Sequence, residues 1–347
     1  MPKIEIQFSN TKLAQLLQSQ LLAGFGVSVE LREEAGQLFL ISETVTQPMI
    51  DHVMRFEEQV KNFARRAQSR KIPQTQALSM RSLKGCTIDG FSMSTVPGVI
   101  GEYGEMADII EEIDQFCLQH FAEFDARNLV LPQIVWRSDL VKMGYLPRDE
   151  KQVAELLVKP EGADTFCLSP AVCLGLYPQL ARFVKPGNEQ AYFVSRGFAH
   201  RNEAGQFAPH PPQRHPSQRL RHFQVREVIW VGDAKELEGF KAFFLAFAEI
   251  FSKHFKLPVE IMTANDVFFE PADTRLAILQ LINQSKLELI VNIDDLDVSI
   301  ASFNDHQDHF TSSFLPVGHK KYSACIGIGL ERAAYAVACV RKEQCDV

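Results

Sequence analysis

Hydrophobic positions alternate with polar ones along "KIEIQF", residues 3–8, which predicts a strand. The next stretch, "NTKLAQLLQSQLLAGFG", switches to helical spacing and closes on glycine, and "VSVELREEAGQLFLIS" returns to alternation on both sides of a glycine turn. Strand, helix and hairpin make a small α+β beginning. The segment "TQPMIDHVMRFEEQVKNFARRAQSRK" then reads as an amphipathic helix ending in a basic run of Lys61, Arg65, Arg66, Arg70 and Lys71. That run is either a solvated helix face or a dock for an acidic partner.

Between Gly101 and Arg127, Ile109, Ile110, Ile113, Phe116, Cys117 and Phe121 recur at helical spacing. "NLVLPQIVW" follows as a short strand interrupted by Pro132, which has no ladder donor and therefore suggests a sheet edge or subunit boundary. "AYFVSRGFAHRNE" and "RLRHFQVREVIWVGD" read as an antiparallel hairpin around the Pro/His/Gln loop 204–218. Asp233 is placed to cap a helix whose Leu237, Phe240, Phe244, Phe247 and Phe251 form an apolar stripe. "LELIVNI" and "LDVSIASF" predict two more strands, before a glycine turn and an Ala-rich final helix in "SACIGIGLERAAYAV". The sum is an α+β chain: a mixed, mostly antiparallel sheet flanked by helices. Its organisation is expected to be a small N-terminal region over 1–80 and a catalytic domain over 81–347.

Composition narrows the function classes. With 347 residues, 46% of them hydrophobic, the chain can bury a large core, and its net charge of −7 disfavours broad adhesion to nucleic acid. Neither a secretory leader nor the ~20 consecutive apolar residues of a membrane helix are readable, so a cytoplasmic location away from membranes is expected. Seven scattered cysteines suit reduced, mostly buried thiols better than a disulfide framework.

Several groups carry chemistry. On the hairpin, Arg201, Glu203, Arg219, Phe223, Arg226 and Glu227 could project around one cleft, with alternation setting Arg201 and Glu203 on one face and Phe223 and Glu227 on one face. An arginine beside an aromatic ring suits a nucleotide, and cross-strand ion pairs are the alternative. Cys173, Glu203 and Cys325 are far apart in sequence, yet two thiolates and a carboxylate would hold zinc and leave a position open. No Cys-x-x-Cys spacing supports that grouping, and buried packing is the alternative. "FNDHQDHF" has metal-ligand residue types in Asn304, His306, Asp308 and His309, but joining its histidines would need a helix where the run looks extended, so hydrogen-bonding or packing roles are preferred. At "GIGLER", Gly327, Gly329 and Arg332 fit either a phosphate cradle or ordinary strand-to-helix packing.

In order along the chain, these segments resemble the catalytic domains of class II aminoacyl-tRNA synthetases. "NLVLPQ" resembles the dimer-forming first motif, "HRNE" through "RHFQVREVIWVG" the second, and "GIGLERAAYAV" the third. "LSPAVCLGLYP", "SFNDHQDHF" and "ACIGIGLERAAYA" are similar to amino acid–carrier protein ligases, truncated homologues of the atypical zinc-dependent seryl-tRNA synthetases.

The resemblance implies that a small amino acid, glycine or alanine, is activated with ATP to an aminoacyl-adenylate. It is then transferred to the phosphopantetheine thiol of an acyl or peptidyl carrier protein, with tRNA not the acceptor. It also implies a homodimer, Zn2+ held by Cys173, Glu203 and Cys325, and Mg2+ on the phosphates. Arg201 matches the α-phosphate arginine, Phe223 the ring on adenine, Arg332 the γ-phosphate arginine and Glu227 an acid near the nucleotide. Three departures stand out: Gln224 where another arginine is usual, the long loop 204–218, and Val298–Ser299 where a magnesium-binding acid often lies, with Asp297 as a substitute. A synthetase paralogue that aminoacylates a small molecule, peptide or tRNA, and a non-catalytic regulatory homologue, are the competing readings.

Overall fold

The computed structural model describes residues 3–6, 30–34, 37–41, 45–51, 53–54, 71–72, 79–88, 90–93, 98–146, 153–156, 165–184, 190–201, 220–264, 285–316, 318 and 321–345. The chain divides into two compact units, residues 1–69 with 265–283, and residues 70–264 with 284–347. In the first, β1 (Lys3–Ile6), β2 (Glu30–Glu34) and β3 (Gln37–Ile41) form an antiparallel sheet in the order β1-β3-β2. The expected strand and hairpin are both present; the helix read over 10–26 lies outside the described residues. So does most of the basic helix, but its last residue, Lys71, stands on a strand, β4 (Lys71–Ile72), where it pairs with Glu260 at 2.6 Å.

In the second unit, β5 (Ser82–Leu83) and a small β6–β7 ribbon (Phe91–Met93, Ile100–Glu102) lead into α1 (Gly104–Phe121). The expected strand around Pro132 divides into β8 (Arg127–Asn128) and β9 (Ile134–Trp136), which belong to different sheets. Next come α2 (Arg137–Lys142), β10 (Phe166–Leu168), β11 (Ala191–His200), β12 (His222–Gly232), α3 (Leu237–Phe255) and β13 (Glu260–Thr263). The chain ends with β14 (Lys286–Ile293), β15 (Leu296–Gln307), α4 (Thr311–Phe314), β16 (Tyr322–Gly329) and α5 (Leu330–Cys345). One nine-stranded sheet runs β4-β13-β14-β15-β16-β12-β11-β8, with β5 beside β14; its pairings are antiparallel except β8–β11 and β5–β14.

Alternation along these strands separates two cores. Val228, Trp230, Ala324, Ile326, Leu287 and Leu289 pack with α1, α3 and α5 on one face. Phe240, Phe244, Phe247 and Phe251 of α3 are buried there, each contributing on the order of 1.5–3 kcal/mol. A capping box, Asp233 with Glu236, opens the turn before that helix. On the other face, Phe193, Ile229, Val231 and Cys325 pack with Leu174, Tyr177 and Leu180 from two 3-10 turns, Val172–Gly175 and Tyr177–Arg182. All seven cysteines are free, and no helix among the described residues is long and apolar enough to cross a membrane.

Candidate active site in the sheet cleft

β11 and β12 pair with Ala199 opposite Phe223 and Ser195 opposite Glu227, so Phe223, Val225 and Glu227 share one face of the sheet. Arg201 follows β11 at the same end: its guanidinium lies 5.0 Å from the centroid of the Phe223 ring, and its Nε donates to the Pro170 carbonyl at 3.0 Å. The arginine and ring expected to serve a nucleotide are thus stacked on each other. Arg332, in the first turn of α5, donates from Nη1 to the Ser299 carbonyl at 3.3 Å.

Glu203 lies outside the described residues. Among the described residues, the carboxylate beside the two thiols is Glu227, expected at the nucleotide. The cause is register: β12 pairs with β16 so that Glu227 faces Gly327, two residues beyond Cys325. A Cβ on Gly327 would stand 3.3 Å from Val225 Cγ1 and 3.9 Å from Glu227 Oε1, so its absence spares the Val225 methyl a tight contact.

Cys173 sits in the 3-10 turn Val172–Gly175, not on a strand edge. That turn is pressed onto the loop before β9: a Cβ on Gly175 would come 2.6 Å from the Pro132 carbonyl oxygen.

Cys173, Cys325 and Glu227 are 3%, 2% and 4% exposed, too dry for unpaired charge. Burial raises the Glu227 carboxyl above the ordinary carboxylate range, against the pull of hydrogen bonds from Cys325 and Cys173 and of the Arg201 charge. The hydrogen bond with Cys173, burial and the neighbouring acid push the Cys325 thiol well up. The same bond lowers Cys173, but burial and Glu227 leave its thiol raised. Glu227 Oε2 ends buried with no hydrogen-bond partner. Tyr177, buried beside the group, donates to Ser323 Oγ at 3.3 Å, and burial first, then the two thiols, raise its phenol well above the ordinary value.

β15 adds two side chains expected in hydrogen-bonding or packing roles. Asn304 Nδ2 lies 3.7 Å and His306 Nε2 3.3 Å from Cys325 Sγ. Asn304 is the cross-strand partner of Cys325, and a bulge between Asp305 and Gln307 turns His306 toward the same sulfur. His309 instead lies against Phe310, with ring centroids 5.3 Å apart and the rings tilted by 53°.

The opposite face of β12 is differently occupied. Arg226 is held by both oxygens of Asp114, at 2.6 and 2.8 Å, and Arg196 reaches Asp114 and Glu111 at 3.1 and 2.9 Å. Gln224 accepts from Arg196 Nε and Nη2 at 3.1 and 2.9 Å, so this departure from the family pattern lies behind the cleft, not in it. The Gln224 backbone N–H donates to Glu331 Oε1 at 2.7 Å. Burial pushes the Glu331 carboxyl up to about 8, opposed by that N–H and reinforced by neighbouring Glu102.

An antiparallel sheet built from a motif-2-like hairpin, a glycine-led helix and a parallel edge strand restricts the choice of fold. A solved seryl-tRNA synthetase from M. kandleri, in complex with A. aeolicus tRNASec, superposes with a TM-score of 0.61 over 89% of this chain and 69% of its own, at 16% identity. The fold is that of the class II aminoacyl-tRNA synthetases. Prolyl-tRNA synthetase from Cryptosporidium parvum, complexed with halofuginone and AMPPNP, shares this class II fold with a TM-score of 0.56, over 72% of this chain and 49% of its own at 16% identity.

Sequence similarity reaches further. The chain is 26% identical over 269 residues to amino acid–acyl-carrier-protein ligase 2 of Bradyrhizobium diazoefficiens, covering 70% of this chain and 77% of that protein. Ligase 1 of the same organism is 23% identical over 268 residues, covering 69% and 79%. No protein-family model matches. The resemblance to class II synthetase-like carrier-protein ligases, read from the motifs, is therefore supported by relatives that carry that name and by the class II fold of the structural neighbours.

Proposed function

We propose that this chain activates a small amino acid, of the glycine or alanine class, with ATP and transfers it to the phosphopantetheine thiol of a carrier protein. The observation that carries the reading is the placement, on one face of a class II sheet, of a buried Cys173–Glu227–Cys325 group beside the stacked Arg201–Phe223 pair. The names of two sequence relatives suggest the acceptor class.

The chemistry follows from the side chains. A carboxylate oxygen of the amino acid attacks the α-phosphorus of ATP, pyrophosphate leaves, and the carrier thiol then displaces AMP from the acyl carbon, its proton passing to solvent. Arg201 leaves the Phe223 ring to meet charge on the α-phosphate while the ring receives adenine, and Arg332 holds the γ-phosphate. Magnesium enters with the nucleotide: Asp297, considered as its ligand, accepts from Asn292 Nδ2 at 2.9 Å.

The donor chemistry fits zinc. Two adjacent thiols, and a fully buried carboxylate with one oxygen unpartnered, are costly without a cation and suited to one. Cys173, Glu227 and Cys325 would hold the ion, which when bound supplies a Lewis-acid anchor for the substrate amine. Bulk around the anchor, from Tyr177, Asn304 and Val225, favours a small side chain.

A homodimer is part of the reading. Val130, Ile134 and Trp136, flanking Pro132, are 95%, 52% and 41% exposed, which suits a surface closed by a second copy. Amino-acid-dependent ATP–pyrophosphate exchange, across the common amino acids and with and without a chelator, tests the activity; no exchange by zinc-loaded protein with any of them sinks it. Mass spectrometry of holo carrier protein after incubation tests the acceptor.

A further inference from the structure

The candidate metal group has a fourth donor. One ligand atom each from Cys173, His306 and Cys325 lies within 4.8 Å of the others, and Glu227 joins the group through its hydrogen bonds with the same two thiols. Zinc bound by two thiolates, a carboxylate and an imidazole is a closed tetrahedral site, whereas the reading above needs an open position for the amine. His306 resolves the conflict by its placement. Cys173, Cys325 and Glu227 are buried in turn and sheet, while the His306 ring is partly exposed, carried on a bulge at the end of β15. Its ring rests on Phe310, with centroids 4.8 Å apart, and stands edge-on to Tyr177 at 6.5 Å.

We propose that His306 is an exchangeable donor: it closes the metal site when no amino acid is present and yields its position to the substrate's α-amine. This rests on the zinc reading above. Of the four donors it is the one that can leave without exposing buried charge. The exchange also replaces one neutral nitrogen by another, so the site's charge is unchanged; the amine binds as the free base after its ammonium proton passes to solvent. Release of the ring toward Phe310 needs movement at the bulge and the strand end beyond it. Acids that lack the amine have nothing with which to displace the ring.

X-ray absorption at the zinc edge tests this directly, because imidazole gives multiple-scattering features that an aliphatic amine lacks. The expected resting spectrum has two sulfur scatterers and one imidazole. Addition of the amino acid that drives pyrophosphate exchange removes the imidazole features, and its deamino analogue leaves them in place. His306→Ala is expected to retain zinc with about tenfold weaker affinity in chelator competition, and to show no imidazole features in either state. Zinc bound without imidazole at rest, or with imidazole retained alongside the amino acid, overturns the exchange and leaves the zinc reading standing. Protein that holds no zinc overturns both.

Discussion

Alternate residues of β12 face two opposite electrostatic settings. Behind the strand, Arg226 and Gln224 join Asp114, Arg196 and Glu111 in a network in which each buried charge has a close, oppositely charged partner. In front, Phe223 and Glu227 meet Arg201, Cys173 and Cys325, and there the guanidinium lies on a ring while a carboxylate is buried against two thiols. The rear is complete in itself, as a structural network should be. The front buries a carboxylate with one oxygen unpartnered against two thiols, a condition suited to a cation. Abundance of charge therefore says little about function until one asks which charges are already answered.

The comparison can be broken most severely from behind. Asp114→Ala strands Arg226 in the core and is expected to lower unfolding stability by about 3–5 kcal/mol, read as a drop in the denaturant midpoint. A loss below 1 kcal/mol would mean that the rear network is not structural. From the front, Arg201→Ala is expected to cost on the order of a hundredfold or more in pyrophosphate exchange, with the unfolding midpoint little changed. Equal loss of stability would erase the distinction between the faces.

A third test sharpens the border between them. Glu331 has its folded pKa raised from 4.5 to about 8, so the folded state holds a proton that the unfolded state has released over that window. Its stabilising contribution is complete below about pH 4.5 and is lost as the pH rises toward 8. Glu331→Gln is expected to flatten the stability profile between those values, by roughly 1–3 kcal/mol across the window, in thermal melts at stepped pH. The smallest effect on folding is expected at the edge: Val130→Asp should change stability by under about 0.5 kcal/mol while shifting sedimentation from dimer toward monomer.

Much of the fold was legible in sequence. The Phe stripe of α3, the alternation of β14 and β15 and the capping role of Asp233 depend on local periodicity, and local periodicity survives into the structure. The site was legible only in part. Cys173 and Cys325 stood out through resemblance to a family, not through spacing. Glu227 is placed near the nucleotide by the family resemblance, and only cross-strand register, which no single strand encodes, sets it opposite Gly327. His306, expected in a hydrogen-bonding or packing role, does meet a hydrogen-bond partner, but that partner's identity was not legible. The sequence offered a helix or a regular strand, and a one-residue bulge, which leaves no compositional mark, turned the ring toward Cys325. Gln224 erred in the opposite direction, looking like a change in phosphate binding until its side chain proved to lie behind the sheet.

The contact between Gly175 and the Pro132 carbonyl has a thermodynamic consequence. The turn that carries Cys173 is packed closely against the loop leading to the exposed edge at Val130 and Ile134. If ion binding at that turn changes the association of two copies across that edge, association must change the ion affinity by the same factor. Titrating the ion at several protein concentrations would display both halves of that equality.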